Sequence, residues 1–170
     1  MQTHLYFLVS IPSMNLMVFR EGEHEMIDCF DGKYAFLSNF YDNPVTYNGL
    51  TYLNNEAAFQ AQKTLDEDIR KEFTTLPPNL AKRKGRKIAL RPDWEEVKDK
   101  VMYEICVQKF CNPKNDYLGG KLDMTGLEEI VEGNYWHDNY WGNCTCDKCK
   151  NIEGQNKLGK ILMKIRMMRY

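Results

Sequence analysis

Alternation of hydrophobic and polar residues is the main pattern of residues 26–52, and it predicts short β-strands. We expect one hairpin with strands at residues 26–30 and 33–36, joined by a turn at residues 31–32. A second hairpin is expected where Asn48 and Gly49 separate two runs rich in Val, Thr and Tyr, because an Asn–Gly pair fits a tight two-residue turn. The pattern therefore predicts a small antiparallel sheet near the N-terminus.

Helical periodicity replaces this alternation in the following segment. Asn54 and Asn55 can cap a short helix that runs to Lys63. Further helices are predicted over residues 66–73, from about residue 79, over residues 116–122 and after Asn156, which is placed to cap the last of them. Residues 125–132 fit a strand and a short helix equally well.

The longest helical pattern begins at residues 92–94, with Asp93 as the candidate N-cap, and ends at Pro113. Its inward face is apolar and is formed by Val97, Val101, Ile105, Val107 and Phe110. Cys106 falls on the same face, so we predict a core residue there and not a nucleophile. Together these patterns predict a mainly α fold of the α+β class. We expect a single domain in which helices pack around this core helix, with the small sheet near the N-terminus.

The length of 170 residues suits one domain, which we place at residues 26–170, behind an N-terminal extension of uncertain role at residues 1–25. Met14, Met17 and Met26 are alternative start residues. The formal net charge of -1 argues against extensive coating of nucleic acid but leaves room for a local basic site. The apolar run near the N-terminus lacks a basic leader and is too short for a membrane span, so no membrane association is expected.

Six cysteines lack the regular spacing of a disulfide framework: Cys29, Cys106, Cys111, Cys144, Cys146 and Cys149. A reducing cytoplasm is therefore the expected location. The last three could hold zinc only with a fourth ligand, which His137, Cys29 or Cys111 would have to supply. Free thiols in a surface insertion at residues 143–153 are the favoured alternative, and no metal is predicted.

Three polar residues, Glu56, Gln60 and Lys63, share one face of the first short helix and span about 10 Å from end to end. A separate apolar arc of this helix is formed by Ala57, Ala58, Ala61 and Leu65. The polar stripe is either a solvated face with an ion pair or one side of a pocket that brackets a sugar-sized ligand.

Two other segments allow the same choice between a structural and a functional interpretation. The basic run at residues 82–87 is either a solvated face or an anion site, in which Gly85 admits a phosphate and Arg86 binds it. Four aromatic residues within residues 133–143 surround Asp138. They form either an aromatic box for a planar base or a lid over the core.

Six blocks follow one another along the chain: residues 36–40, the helix at residues 56–63, residues 84–86, Asp93 with Trp94, Asp138 with Trp141 and Gly142, and residues 154–159. In this order they resemble the NADAR (YbiA-like) domain family, over residues 26–166. The resemblance implies a mainly helical domain with a small sheet, and an N-glycosidase that acts on ribose attached to an exocyclic amine. The implied substrate is either ADP-ribose on guanine in nucleic acid or a ribosylamino-pyrimidine phosphate of the riboflavin pathway.

In this picture Glu56 and Asp138 are the candidate catalytic carboxylates, because cleavage of an N-glycosidic bond develops positive charge at the anomeric carbon. Lys63 offers a second route, a Schiff base to the opened sugar. The expected stacking walls are Phe36, Phe40, Trp94 and Trp141, the last followed by Gly142. The expected hydrogen-bonding residues are Ser38, Asn39, Gln60 and Asn156, and the expected phosphate-binding residues are Lys84, Gly85 and Arg86.

The basic run favours ADP-ribosylated guanine in DNA or nucleotides as the substrate, with an ADP-ribosyltransferase toxin as a candidate partner and no cofactor. Hydrolysis of the riboflavin-pathway intermediate is the alternative within the same chemistry. An alternative from a different class is a module that binds ADP-ribose or nucleic acid through the aromatic loop without turnover.

Overall fold

Helix α4, Trp94–Cys111, is the longest element of residues 26–170, the part of the chain that this computed structural model describes. The predicted extension at residues 1–25 lies outside these residues. One side of α4 is buried, and Cys106 on that side is fully buried, as expected for a core residue. The helix ends before Pro113, as predicted, because a residue that precedes proline disfavours the helical conformation.

The described residues contain five further α-helices: α1 (Asn55–Ala61), α2 (Glu67–Lys71), α3 (Pro78–Gly85), α5 (Asp116–Asp123) and α6 (Lys157–Arg169). Local capping explains where two of them begin. Asn54 accepts a hydrogen bond from the Ala57 N–H (2.8 Å), and Asp66 accepts bonds from two main-chain amides of α2. The predicted cap Asp93 makes no such bond, because its carboxylate pairs with Arg91 instead. The prediction of a mainly helical fold is confirmed.

Strands β1 (Val45–Tyr47) and β2 (Leu50–Tyr52) pair in antiparallel fashion. Asn48 and Gly49 connect them with positive φ angles of 48° and 79°, which a tight two-residue turn of this kind requires. The predicted second hairpin is therefore confirmed. Two shorter strands, β3 (Gly133–Asn134) and β4 (Asn143–Cys144), pair in parallel and bring the ends of the aromatic loop together.

The first predicted hairpin is wrong. Gly32–Leu37 forms a 3-10 helix, and Ile27 makes an isolated parallel bridge with Ile130. Phe36 and Leu37 are both buried, whereas neighbouring residues of a strand point to opposite faces, so their joint burial favours a helical turn. Residues 125–132, which fitted two interpretations, contain this bridge and neither a helix nor a longer strand.

Helix α1 is buried over its whole length. It packs against α3, α4 and the β1–β2 hairpin, while α5 and α6 pack against other parts of α4. Because α1 has no solvated face, its polar side chains must find partners inside the protein or in a ligand. No helix within residues 26–170 is long and apolar enough to cross a lipid bilayer.

Candidate active site

Glu56 is a buried carboxyl group in the first turn of α1, with 6% of its surface exposed. Its main-chain N–H donates to the Asn39 carbonyl (3.0 Å), and Gln60 donates from Nε2 to its Oε1 (2.9 Å). Burial raises the pKa of Glu56, and the positive charges of Lys82 and Lys63 offset this rise only in part. Such a carboxyl group is suited to proton exchange during a reaction.

The predicted polar stripe is helical only in part. Helix α1 ends at Ala61, and Lys63 follows in a turn whose N–H donates to the Gln60 carbonyl (3.2 Å). Leu65, which was expected on the apolar arc, is 59% exposed because the chain has already left the helix. The turn nevertheless keeps the Lys63 charge close enough to Glu56 to influence its pKa.

The Lys63 amine lies between α3 and an aromatic ring. Its Nζ donates to the Gly85 carbonyl (3.5 Å) and lies 6.0 Å from the centre of the Trp94 ring. Burial lowers the pKa of Lys63, an effect that the charge of Glu56 opposes and neighbouring cations reinforce. A lowered pKa favours the neutral amine, the form that acts as a nucleophile.

Glu132 is a half-buried residue with a buried carboxyl oxygen, and it was not among the residues predicted for the site. Its pKa is raised to about 8 by burial and by the negative charges of Asp138 and Glu56, against the opposing charge of Lys82. Glu132 therefore carries a proton at neutral pH. Its Oε2 is buried without a hydrogen-bond partner among the described residues. The signal in the sequence was weak, a single acidic residue directly after an apolar pair.

Asp138 organises the aromatic loop around its own carboxylate. Its Oδ1 accepts hydrogen bonds from the main-chain N–H groups of Tyr140 (3.1 Å) and Trp141 (2.9 Å). Asn134 donates from Nδ2 to the Asp138 carbonyl (2.7 Å). These bonds fold the loop into a tight turn and orient the carboxylate, which lies close enough to Glu132 to raise its pKa.

Two of the predicted stacking walls lie together. Phe59 of α1 packs against Trp94, with 5.1 Å between ring centres, and edge-on against Trp141 at 5.4 Å. Phe36 lies elsewhere. Its 3-10 helix turns the ring into the core against Phe110 (6.3 Å), so it does not form a wall of this site.

Phe40, another predicted wall, forms part of an exposed arrangement of two rings and a cation. The Lys82 Nζ lies 5.6 Å from the centre of the Phe40 ring and 5.8 Å from that of Trp136, and both rings are exposed. The positive charge of Lys82 also opposes the rise in the pKa of Glu56 and of Glu132. No individual role for Lys82 or Trp136 was predicted from the sequence, because the two residues come together only when α3 and the loop meet.

Ser38 and Asn39 use their polar groups inside the fold. The Ser38 hydroxyl accepts a bond from the Phe40 N–H (3.1 Å). The Asn39 side chain accepts a bond from Asn55 (3.3 Å), and its carbonyl accepts the Glu56 N–H. Both residues therefore lie beside the site and position its main chain.

Asn156 occupies the N-cap position of α6, but the predicted capping bond is absent. Its Oδ1 accepts the Glu132 N–H (3.0 Å), and its Nδ2 donates to the Ile130 carbonyl (2.8 Å), so the amide is held by the neighbouring segment. Gly142 also packs closely against Glu132, since a Cβ at this position would lie 2.1 Å from the Glu132 carbonyl oxygen. Both predicted site residues thus fix the main chain of Glu132.

The predicted phosphate-binding residues point in different directions. Lys84 forms an ion pair with Glu72 beyond the end of α2. Gly85 allows α3 to approach α1, since a Cβ there would lie 1.9 Å from the Gln60 Oε1. Arg86 is exposed, and its positive charge helps to lower the pKa of Lys63. Arg86 thus remains the candidate for an anion, while Gly85 serves close packing.

The cysteine insertion forms a compact turn after β4. The ligand atoms of four residues lie within 4.8 Å of one another: His137, Cys144, Cys146 and Cys149. Of the three residues considered as a fourth metal ligand, the structure brings His137 to the three thiols, and Cys29 and Cys111 are not in this group. Glu56, Glu132 and Asp138 are not part of this group of ligand atoms, so we treat it as a second cluster.

Two open surface cavities lie away from the carboxyl groups around α1. One of about 400 Å³ adjoins the cysteine turn, and one of about 210 Å³ lies between the β1–β2 hairpin and α2. Neither is lined by Glu56, Lys63 or Glu132. The buried ionisable cluster, and not the size of a cavity, therefore marks the candidate active site.

Known proteins match most of this chain. The model of the NADAR domain family matches residues 21–168. N-glycosidase YbiA of Escherichia coli (strain K12) is 37% identical over 136 residues, which cover 78% of this chain and 80% of that protein. N-glycosidase Npun_R5314 of Nostoc punctiforme is 32% identical over 142 residues, which cover 78% and 84%. The NMR structure of the E. coli protein YbiA has a TM-score of 0.70 to this fold, with 33% identity and 89% of each chain covered.

Proposed function

Because the chain belongs to the NADAR domain family, we propose that it is an N-glycosidase, a hydrolase that cleaves the bond between ribose C1 and an exocyclic amine. The observation that carries the proposal is a cluster of carboxyl groups and amines around α1, in which Glu56 is buried and Lys63, Lys82, Glu132 and Asp138 are half-buried. The pKa of Glu56 responds to Lys63, Lys82 and Asp138, and that of Glu132 responds to Glu56. A solvated helix face would leave such groups exposed, whereas a reaction site needs them buried and coupled.

Glu132 and Glu56 suit two different tasks in this hydrolysis. When the bond between C1 and nitrogen breaks, its electron pair goes to the amine, which needs a proton, and Glu132 holds one at neutral pH. Glu56 in its ionised form stabilises the positive charge at C1 and takes a proton from the attacking water. In addition, Oε2 of Glu132 is a buried oxygen without a hydrogen-bond partner among the described residues. It favours a ligand with hydroxyl or amino groups.

Lys63 supports a second route to the same products. The ribose ring opens when the exocyclic nitrogen forms a double bond to C1 and the ring oxygen takes a proton. The neutral Lys63 amine then adds to C1 and expels the substrate amine, which leaves a Schiff base. Water hydrolyses the Schiff base and restores Lys63. Burial of Lys63 beside Trp94 supports this role, because burial favours the neutral amine.

The finer proposal is that the substrate is ADP-ribose attached to guanine in DNA or a nucleotide. The exposed rings of Phe40 and Trp136, with Lys82 between them, suit a stacked planar base. Two exposed cations of the same basic run, Arg83 and Arg86, suit the diphosphate. An ADP-ribosyltransferase toxin that modifies guanine would supply this substrate.

The test of the function compares two substrates with the purified protein. One is an oligonucleotide that carries ADP-ribosylated guanine, and the other is a ribosylamino-pyrimidine phosphate. We expect release of free ADP-ribose from the first, measured by mass spectrometry. Turnover of the second substrate alone would support an N-glycosidase but contradict the proposed substrate. Tight binding of the first substrate without any turnover would indicate a binding module and not an enzyme.

Two variants separate the roles of Glu56 and Lys63. We expect Glu56→Gln to lower turnover by roughly 10²–10⁴-fold, the usual effect of losing a general acid or base. Borohydride added during turnover should attach the sugar covalently to Lys63, which mass spectrometry of peptides would locate. Full activity of Lys63→Ala together with a failure to trap the sugar would exclude the Schiff base, and normal turnover by Glu56→Gln would exclude its proposed role.

A further inference from the structure

The distances within the cysteine cluster match those of a tetrahedral metal site. The Nδ1 of His137 lies 3.1 Å from the Cys146 Sγ and 3.5 Å from the Cys149 Sγ, and all four ligand atoms lie within 4.8 Å of one another. In a tetrahedral zinc site the Zn–N and Zn–S bond lengths place neighbouring ligand atoms about 3.5–3.8 Å apart. A small inward or outward adjustment of these side chains therefore produces a complete ligand shell.

The main chain is shaped to present these ligands. The N–H groups of Cys149 and Lys150 both donate to the Cys146 carbonyl (2.9 Å each), which makes the tight turn that brings two cysteines to one side. Cys144 belongs to β4, and its Sγ accepts the His137 N–H (3.3 Å). A main-chain N–H that donates to the sulfur helps to orient and stabilise a thiolate metal ligand.

The chemistry of the cluster favours a metal over isolated thiols. Cys144 and Cys149 are buried, all three sulfurs are free, and an imidazole faces them. One disulfide would use two of the sulfurs and leave the third beside the histidine without a partner. Three soft sulfur ligands and one imidazole match zinc, for which a Cys₃His set is a common structural combination.

We propose that His137, Cys144, Cys146 and Cys149 bind one zinc ion in a closed, structural site that fixes the aromatic loop. Four protein ligands leave no open position for water or substrate, so the ion holds the fold and takes no part in the reaction. The site is separate from the carboxyl groups around α1, and its existence does not depend on the proposed function.

The position of the site explains what the ion would stabilise. The β3–β4 pairing joins the loop only at its ends, Asn134 to Cys144. A metal bond to His137, which has a left-handed backbone with φ of 68°, adds a cross-link in the middle of the loop. Asp138 is the next residue, and its carboxylate orients Trp141. Zinc would therefore fix the part of the loop that faces Glu132.

The first experiment measures metal in the wild-type protein. We expect about one zinc ion per chain after purification without chelators, measured by inductively coupled plasma mass spectrometry. A mercurial reagent that titrates the thiolates should release this ion in step with the reaction. Replacement of zinc by Co²⁺ should give the intense visible d–d bands of a tetrahedral site. A separate sulfur-to-cobalt charge-transfer band should appear in the near ultraviolet.

Matched variants locate the site. Cys146→Ser should lose most of the bound metal and the cobalt charge-transfer band, whereas Cys29→Ser, which changes an exposed cysteine outside the cluster, should keep both. If Cys146→Ser does not fold, the wild-type titration still decides the question. Less than about one-tenth of a zinc ion per chain after refolding with excess zinc, or a disulfide between cluster cysteines under reducing purification, would overturn the proposal.

Discussion

Glu132 is the residue whose protonation should be most visible in kinetics. Because burial and neighbouring carboxylates raise its pKa to about 8, the proposed proton donor is lost as the pH rises through that value. We expect kcat/KM to fall above about pH 8 and Glu132→Gln to lower it by roughly 10²–10⁴-fold at pH 7. The fall above pH 8 should be absent from the residual activity of Glu132→Gln. A profile that keeps this fall in the variant would assign it to another group.

The raised pKa of Glu132 also predicts how the stability of the protein depends on pH. The ordinary pKa of this residue is 4.5, and in the folded protein it is about 8, so between these values the unfolded chain has lost a proton that the folded chain keeps. The free energy of unfolding should therefore decrease as the pH rises from 4.5 to 8, by at most about 5 kcal/mol. Urea unfolding at pH 5, 7 and 9 should show a smaller decrease for Glu132→Gln than for the wild type. Equal decreases in both proteins would mean that Glu132 ionises normally in the fold.

Substitution of Gly85 tests how closely α3 must approach α1. A Cβ at this position would lie 1.9 Å from the Gln60 Oε1 and 3.0 Å from the Gln60 Cβ, so Gly85→Ala must displace the side chain that holds Glu56. We expect a loss of about 1–3 kcal/mol in unfolding free energy and about 10²-fold in kcat/KM. In a Gln60→Ala background, Gly85→Ala should cost less stability and less activity, because the clash with the Gln60 amide is removed and only the 3.0 Å contact with the Cβ remains. An equal cost in both backgrounds would place the effect of Gly85 elsewhere.

At the scale of single elements, the N-cap of α1 connects helix stability with activity. Asn54→Ala removes the bond from the Ala57 N–H and the bond that Asn54 donates to the Leu76 carbonyl. We expect a loss of about 1–2 kcal/mol and reduced turnover, because α1 carries Glu56. Asp66→Ala removes the exposed cap of α2 and should cost about 1 kcal/mol with unchanged turnover. Comparable turnover of both variants at equal temperature below their melting points would argue against this coupling.

The elements that could be predicted from the sequence are those whose determinants are local. The Asn54 cap predicts α1, and the Asn48–Gly49 turn predicts the confirmed hairpin, because each depends on neighbouring residues. Contacts between distant segments decide the rest. Ile27 pairs with Ile130 and not with a neighbouring strand, and Glu132 gains its raised pKa only when its segment meets α1 and the loop.

On the scale of the whole molecule, long-range polar contacts position the two sides of the site. The buried amine of Lys109 on α4 donates to the Ser38 carbonyl (2.7 Å), next to Asn39, whose carbonyl accepts the Glu56 N–H. On the other side, Asn156 at the start of α6 holds the main chain of Glu132. Residues of α4 and at the start of α6 thus hold the main chain beside both reacting groups.

Arg169 in the last turn of α6 closes the fold by joining three helices. Its guanidinium pairs with Asp123 (2.9 Å) at the end of α5 and donates to the carbonyl of Phe110 (2.7 Å) in α4. Gly119 of α5 makes room for it, since a Cβ there would lie 2.2 Å from its Cζ, whereas a Cβ on Gly120 meets nothing within 4 Å.

These neighbouring glycines give a matched pair of variants in one helix. Gly119→Ala must displace the Arg169 guanidinium from its partners, and we expect a loss of about 1–3 kcal/mol in the free energy of urea unfolding. Gly120→Ala should instead stabilise the protein by about 0.4–1 kcal/mol, because alanine restricts the unfolded chain and fits a helix. In an Arg169→Ala background the two substitutions should have the same sign. Equal effects of the two glycine variants in the wild-type background would show that Arg169 does not hold α6 against α5.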